Sequence, residues 1–195
     1  MKTSNKKVIH HGEWLSFRTM EIENKDSKPI IYEYVTCSEK KADGGVEIIP
    51  IMKKEGKLYV VLIKNYRYPI EQYCMEFPAG LVDPGEETDK TALRELKEET
   101  GYTAQKMIKL NDSMLYDPWK STDTAGLYLA LINGDDPINK DIKQTLDDIE
   151  RIEVILVEWD NIEERLKELQ TKYALRSSLV FLVAYKQIID ALQSF

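Results

Sequence analysis

The residues able to do chemistry crowd into one short stretch. From Gly80 to Tyr102 the chain reads GLVDPGEETDKTALRELKEETGY, gathering Glu86, Glu95, Glu98 and Glu99 around Arg94. Glu95 and Glu99 stand four apart, and Glu98 stands three from Glu95. On a helix the three carboxylates therefore share a face, while Ala92, Leu93 and Leu96 can pack inward. Like charges at this spacing repel. One reading is a solvated acidic face, partly relieved by Lys90 and Lys97; acidic helices are common and a helical ion pair is worth only ~0.2–0.5 kcal/mol. Glu95 and Glu99, however, have no basic residue four positions away. That favours a second reading, a hard cation held by oxygen ligands, which suits Mg2+ or Mn2+ and not zinc.

The elements that must position this face can be read on either side of it. GLVDPGEE is broken by Gly80, Pro84 and Gly85 and predicts a loop, from which Glu86 can fold back toward the acidic face. The helix is expected to start near Thr88 or Asp89, either of which can cap it, and to stop at Gly101, a left-handed terminator. Upstream, WLSFRTMEIEN and PIIYEYVTC alternate as two strands about the turn NKDSKP, behind a polar and frayed start, MKTSNKK. EKKADGG reads as a linker. VEIIPIM and LYVVLIKNYR predict strands about a KKEGK hairpin turn. YCMEFPAG, as a short strand ending at Pro78, and GLYLALIN and IERIEVILVEW add three more, and NIEERLKELQ and SSLVFLVAYKQIIDAL have helical spacing. The fold class expected is α/β (α+β): a mixed sheet with helices on both faces at 39–195, preceded by a small N-terminal β element at 1–38.

The 195 residues are enough for one domain with a real core. A formal net charge of -7 argues against non-specific nucleic-acid binding, yet leaves room for an anionic small substrate, because a bound cation reverses the local field. Cys37 and Cys74 lack metal-ligand spacing and, with no signal peptide, read as reduced thiols of a cytoplasmic protein, with the nucleus as a second compartment. The longest apolar run, LVFLVAY at Leu179–Tyr185, falls short of the ~20 residues a spanning helix needs. It predicts a core helix and no membrane partner.

The stretch Gly80–Tyr102 resembles the Nudix box, G-x5-E-x7-R-E-U-x-E-E-x-G-U with U a bulky apolar residue. Gly80, Glu86, Arg94, Glu95, Leu96, Glu98, Glu99 and Gly101 fill its fixed places. Tyr102 fills the last, where an aliphatic residue is more usual. The resemblance implies the Nudix fold, a mixed β-sheet sandwiched between α-helices, and Mg2+-dependent hydrolysis of a nucleoside diphosphate linked to another group. The chemistry accounts for the pattern. The negative charge of a pyrophosphate repels water, and divalent ions neutralise that charge and activate the attacking water. Glu95, Glu98 and Glu99 are the implied metal ligands, joined by the backbone oxygen of Ala79. Gly80 lets the chain turn closely, and Arg94 braces the glutamates.

Beyond the box the chain is similar to the ADP-ribose and ADP-sugar pyrophosphatase branch, through GEWLSF, ADGGVEIIPI, KNYRYP, EFPAG, INGDD and IERIEV. Pro118 stands sixteen residues past Tyr102, where that branch has a proline. Members of the branch are homodimers that exchange N-terminal segments, so each adenine sits between two subunits; the same is implied here. Carried over by position, Trp14 and Tyr32 imply an aromatic sandwich for adenine, with tyrosine replacing the more usual tryptophan. Glu33 implies an adenine contact, Arg67 a phosphate-binding fork, and Glu76 a carboxylate near the ribose and metal. Leu81 and Asp117 complete the implied substrate contacts. Without the resemblance, Trp14 and Tyr32 read equally well as strand core and Arg67 as a surface charge. Cys37 stands where relatives carry a basic residue. Trp119 stands where glycine is common, placing bulk near the distal sugar. Glu150 is the implied general base, with Glu153 as its alternative, and Glu98 and Arg94 complete the implied catalytic set.

The activity expected is cleavage of ADP-ribose or a related nucleotide sugar to AMP and a sugar phosphate. Oxidised nucleoside diphosphates and dinucleotides stay open as substrates, and a non-catalytic ADP-ribose sensor is the alternative class. Loss of box carboxylates would mark a sensor, and here all are present.

Overall fold

The computed structural model describes residues 2–24, 28–37, 42 and 44–194. Parts of the expected turn NKDSKP and linker EKKADGG, and the boundary at residue 38, lie outside the described residues. The N-terminal element is a three-stranded antiparallel sheet in the order β1 (Thr3–His11), β2 (Leu15–Ile22), β3 (Ile30–Cys37). The start of the chain was expected to fray, but it forms β1, pairing Lys7 with Thr19 and Val8 with Arg18. A polar strand suits a sheet edge, where backbone pairing on one side suffices and both faces meet water. β3 leans on the catalytic body. The Val35 amide donates to the Lys120 carbonyl (2.8 Å) and the Cys37 amide to Asp123 Oδ1 (3.1 Å).

The larger sheet has eight strands: β4 (Gly45–Lys54), β5 (Lys57–Arg67), β6 (Gln72–Glu76), β7 (Ala79–Leu81), β8 (Lys106–Leu115), β9 (Thr124–Asn133), β10 (Ile152–Glu158) and β11 (Ala174–Leu175). β4 runs parallel to β9, and β6 parallel to β11; the other pairs are antiparallel. The β4–β5 hairpin turns on Glu55 and Gly56, both at positive φ (50° and 78°), as a two-residue hairpin turn demands. On one edge β4 pairs first with β7 through Gly45–Glu47 and then with β5 from Ile51 onward. Pro50 falls between these partners. The Ile48 amide points to that edge and reaches the Pro78 carbonyl (2.9 Å), so two residues on the missing N–H of Pro50 leaves no ladder bond unmade. β7 itself lies in the segment expected to be a loop. β8 was not expected at all: it is a largely exposed strand whose two register shifts spoil the alternation a strand would show.

Helices cover both faces, as expected. α1 (Thr88–Thr100) packs Ala92 and Leu96 onto Val46, Ile48, Met52 and Val61. On the other face, α2 (Ile162–Gln170) and the start of α3 (Ser177–Ser194) set Ile162, Leu166, Leu169 and Leu179 against Val60, Leu62 and Phe77. Val60 to Ile63 are all fully buried, the mark of a strand covered on both sides. Three local expectations change. Leu93 is exposed, because the buried face of α1 runs through Thr91, Ala92, Glu95, Leu96, Glu99 and Thr100. Neither Thr88 nor Asp89 caps that helix. Its N-cap is Glu87, and both side chains instead meet the Tyr128 hydroxyl (2.6 and 2.7 Å). α3 is no core helix: Leu179 is buried, but Phe181, Tyr185, Ile188 and Leu192 face outward. Among the described residues no helix is long and apolar enough to cross a membrane.

Candidate active site

The site is built where α1 closes on β7. A Cβ on Gly80 would lie 1.9 Å from the Glu95 carboxyl carbon, so only glycine admits that carboxylate against the strand. Gly80 is needed for close approach and not for a turn; Gly101 (φ 73°) is left-handed and ends α1 as expected. Arg94 spreads over the acids. Nη1 donates to Glu95 Oε1 (2.7 Å) and Glu98 Oε2 (3.0 Å), Nη2 and Nε to Glu86 (3.0 and 3.2 Å), and Nη2 also to the Leu81 carbonyl (3.2 Å). Glu86 folds back as expected. Its hydrogen bonds from Arg94, then from Thr91, pull its carboxyl down to about 2.

The deeper acids behave oppositely. Burial pushes Glu95 up to about 7, although Arg94 opposes the shift. Glu99 is 3% exposed and is pushed well above the usual carboxylate range, first by burial and then by the charges of Glu95 and Glu150; the Ala79 amide at 2.9 Å only partly offsets this. One guanidinium thus serves three acids, and among the described residues Glu99 has only a backbone donor.

This acidic face forms one wall of a cleft of about 780 Å³. The loop before β10 also lines the cleft and brings Glu150 to it. Three ties hold the loop. The Thr145 amide donates to the Glu98 carbonyl (2.9 Å), the Gln144 side chain to the Glu99 carbonyl, and the Tyr68 hydroxyl to the Ile149 carbonyl (2.9 Å). Within the loop, the Asp147 amide donates to Glu150 Oε2 (2.8 Å). Glu153 does not share this position: it lies on β10 and pairs with Lys64 outside the cleft.

Trp14, Arg67, Ala79, Leu81, Arg94, Glu95, Glu98, Glu99 and Glu150 are brought together around the cleft. The other positions named from the sequence lie elsewhere in this chain. Tyr32 and Glu33 sit on β3, and the Tyr32 hydroxyl donates to the Trp119 carbonyl. Glu76 lies behind the cleft wall, nearly buried, with Arg67 Nε donating to it (2.7 Å) and Arg176 at 3.5 Å. Asp117 pairs with Lys120 (2.8 Å), and exposed Trp119 lines neither the cleft nor its neighbouring cavity. Sequence reading passed over Tyr68, Gln144 and Thr145, whose roles depend on hydrogen bonds to distant backbone. It also passed over Glu47, where a lone acid inside the apolar strand VEIIPIM was a visible signal.

Among the described residues, no three acidic, histidine or cysteine side chains already enclose a point where an ion would sit. Glu95 and Glu98 instead share Arg94, and Glu99 accepts from Ala79. The donor chemistry nevertheless fits a hard divalent cation. The candidate donors are oxygens only, and two of them are buried carboxylates whose charge the chain compensates only in part.

Comparison with known proteins gives the same direction. Residues 43–176 match the NUDIX domain. The chain is 32% identical over 169 residues to the ADP-sugar pyrophosphatase of Mus musculus, covering 85% of this chain and 77% of that protein. It is 31% identical over 193 residues to the ADP-ribose pyrophosphatase of Bacillus subtilis, covering 99% and 96%. A crystal structure of an ADP compounds hydrolase shares the fold at a TM-score of 0.61 and 19% identity, covering 85% of this chain and 82% of that one. A cleft walled by box carboxylates, on a fold matched over most of its length, makes this chain a member of the Nudix hydrolase family.

Proposed function

We propose that the protein hydrolyses the pyrophosphate bond of ADP-ribose and related ADP-sugars, releasing AMP and a sugar phosphate. The observation that carries this reading is the buried, under-compensated pair Glu95 and Glu99 lining one cleft together with Glu150. The full-length likeness to an ADP-ribose pyrophosphatase narrows the substrate. Glu95, Glu98, Glu99 and the Ala79 carbonyl would hold Mg2+, with Mn2+ as a substitute; the ion neutralises pyrophosphate charge and acidifies water. The chain's own residues do the rest. Arg94 fixes the carboxylates in one rotamer set. Arg67 presents its guanidinium to the phosphates. Glu150, on a loop tied at both ends, accepts the proton of the attacking water as general base. Trp14 offers a flat apolar face to the adenine from the N-terminal sheet.

The assembly we assign is a homodimer in which N-terminal sheets are exchanged. Two features support it. Trp14 reaches the cleft of its own chain while Tyr32 and Glu33 do not, so a two-sided adenine site needs a second source. The N-terminal sheet also leaves Val8, Ile9, Leu15, Ile30 and Ile31 exposed. The two free thiols suit a cytoplasmic setting. The test is a panel of ADP-ribose, ADP-glucose, oxidised nucleoside diphosphates and dinucleotides, assayed by phosphatase-coupled phosphate release with Mg2+ and with Mn2+. ADP-ribose is expected to give the highest kcat/KM. No turnover of any ADP-sugar with either ion would sink the reading. Light scattering on a chain lacking the residues before Cys37 tests the assembly: a truncated monomer with unchanged KM overturns it.

A further inference from the structure

A second cavity, of about 340 Å³, adjoins the cleft along β7. The two share Trp14, Arg67, Ala79, Gly80 and Leu81. None of Glu95, Glu98 or Glu99 lines the second cavity; its own walls include Arg176 and Tyr116. A diphosphate held at the acidic face therefore has an arginine-lined recess beside it.

Arg176 stands between β11 and α3, with its backbone amide on the Met75 carbonyl (3.0 Å). Its guanidinium lies over the Tyr116 ring, 4.7 Å from the centroid. Behind it are two nearly buried carboxylates, Glu76 at 3.5 Å from Nη1 and Glu47 at 3.9 Å from Nε. Neither oxygen of Glu47 has a hydrogen-bond partner among the described residues. A guanidinium dedicated to neutralising these acids would close to the ~2.7–2.9 Å of a charge-assisted hydrogen bond, as Arg67 does with Glu76 (2.7 Å). Arg176 does not close. Charge from behind and stacking on Tyr116 aim its planar fork, while N–H donors remain for something else. Arg67 lines both cavities and shares Glu76 with Arg176, so the two guanidiniums flank one space.

We propose that Arg176 is a substrate-binding residue: together with Arg67 it grips the phosphate that lies away from the acidic face, and Tyr116, Glu47 and Glu76 position it. This rests on the nucleoside diphosphate reading above, and it adds a recognition residue that no box position supplies.

The test uses the full-length protein with two readouts, ADP affinity by calorimetry and ADP-ribose kinetics. Arg176→Ala leaves Glu47 more exposed to its own charge, so it is paired with the double variant Glu47→Gln/Arg176→Ala, which removes the cation and a buried anion together. The double variant is expected to keep a wild-type melting temperature within a few degrees, lose about 10- to 100-fold in ADP affinity and in KM, and change kcat only a few-fold. Arg176→Lys should lose less, keeping charge without the fork. A folded double variant that binds ADP as well as wild type overturns the proposal and leaves Arg176 a structural cation. Wild-type protein that does not bind ADP overturns it too. Wild-type protein that binds ADP through Arg176 but turns over no ADP-sugar leaves the proposal standing and defeats the functional reading alone.

Discussion

Two groups of carboxylates flank the short strand β7, and the fold treats them differently. On the cleft side Glu95 and Glu99 are buried with too little positive charge, and both are held toward their protonated forms. Behind the strand Glu76 is equally buried, but Arg67 grips it with two nitrogens and Arg176 stands at 3.5 Å. Burial of a charge is tolerated when a partner is supplied and resisted when it is not. On the cleft side one guanidinium is shared among Glu86, Glu95 and Glu98, so compensation of the buried charge stays incomplete. Glu76 is the carboxylate for which the chain itself supplies a close partner.

The sharpest way to break this contrast is to remove a cleft carboxylate. Glu99→Gln should lower kcat at saturating Mg2+ by about a thousandfold, since metal charge stabilisation is worth several kcal/mol, while the chain stays folded. Near-wild-type kcat would remove Glu99 from the metal site. Next in size is the loop before β10. Glu150→Gln should cost about 10²- to 10⁴-fold in kcat with KM little changed, and Glu153→Gln should cost almost nothing, because its partner Lys64 is outside the cleft. A larger loss for Glu153→Gln than for Glu150→Gln would exchange their roles.

A smaller effect is expected where the cleft meets the N-terminal sheet. Base stacking on an aromatic side chain is worth roughly 1–3 kcal/mol. Trp14→Ala should therefore raise KM for ADP-ribose by about one to two orders of magnitude and move kcat less. An unchanged KM would take Trp14 out of the adenine site.

The smallest effect sharpens the electrostatic argument itself. Glu95 and Glu99 bind protons more tightly folded than unfolded. Without divalent ions, their contribution to stability is therefore lost as pH rises from the ordinary range near 4.5 through about 7 for Glu95. Glu95→Gln removes that loss. In chelator, the variant's melting temperature relative to wild type should climb by a few degrees between about pH 5 and pH 7.5, and added Mg2+ should favour wild type instead. A flat difference across that range would mean that Glu95 is not strained by burial.

The acidic face was legible in the chain because helical spacing is local. Three and four residues between glutamates place them together whatever the rest of the protein does. The same holds for the Gly101 stop and for the hairpin about Glu55 and Gly56. The terminal strand β1 was not legible, because its stability comes from β2 and not from its own apolar pattern. Nor was the outward face of α3: a continuous apolar run looks the same whether its far side is covered or bare. Residue types between positions 80 and 102 gather the carboxylates on one helical face, and that much is readable before any fold is known. Other features existed only after distant segments met. They are the Glu95 carboxylate lying where a Gly80 side chain would be, the loop that carries Glu150 to the cleft, and the Glu47, Glu76, Tyr116 and Arg176 cluster drawn from β4, β6 and two connecting segments. Each depends on which strands pair and how closely helices approach them, and no spacing along a single segment encodes that.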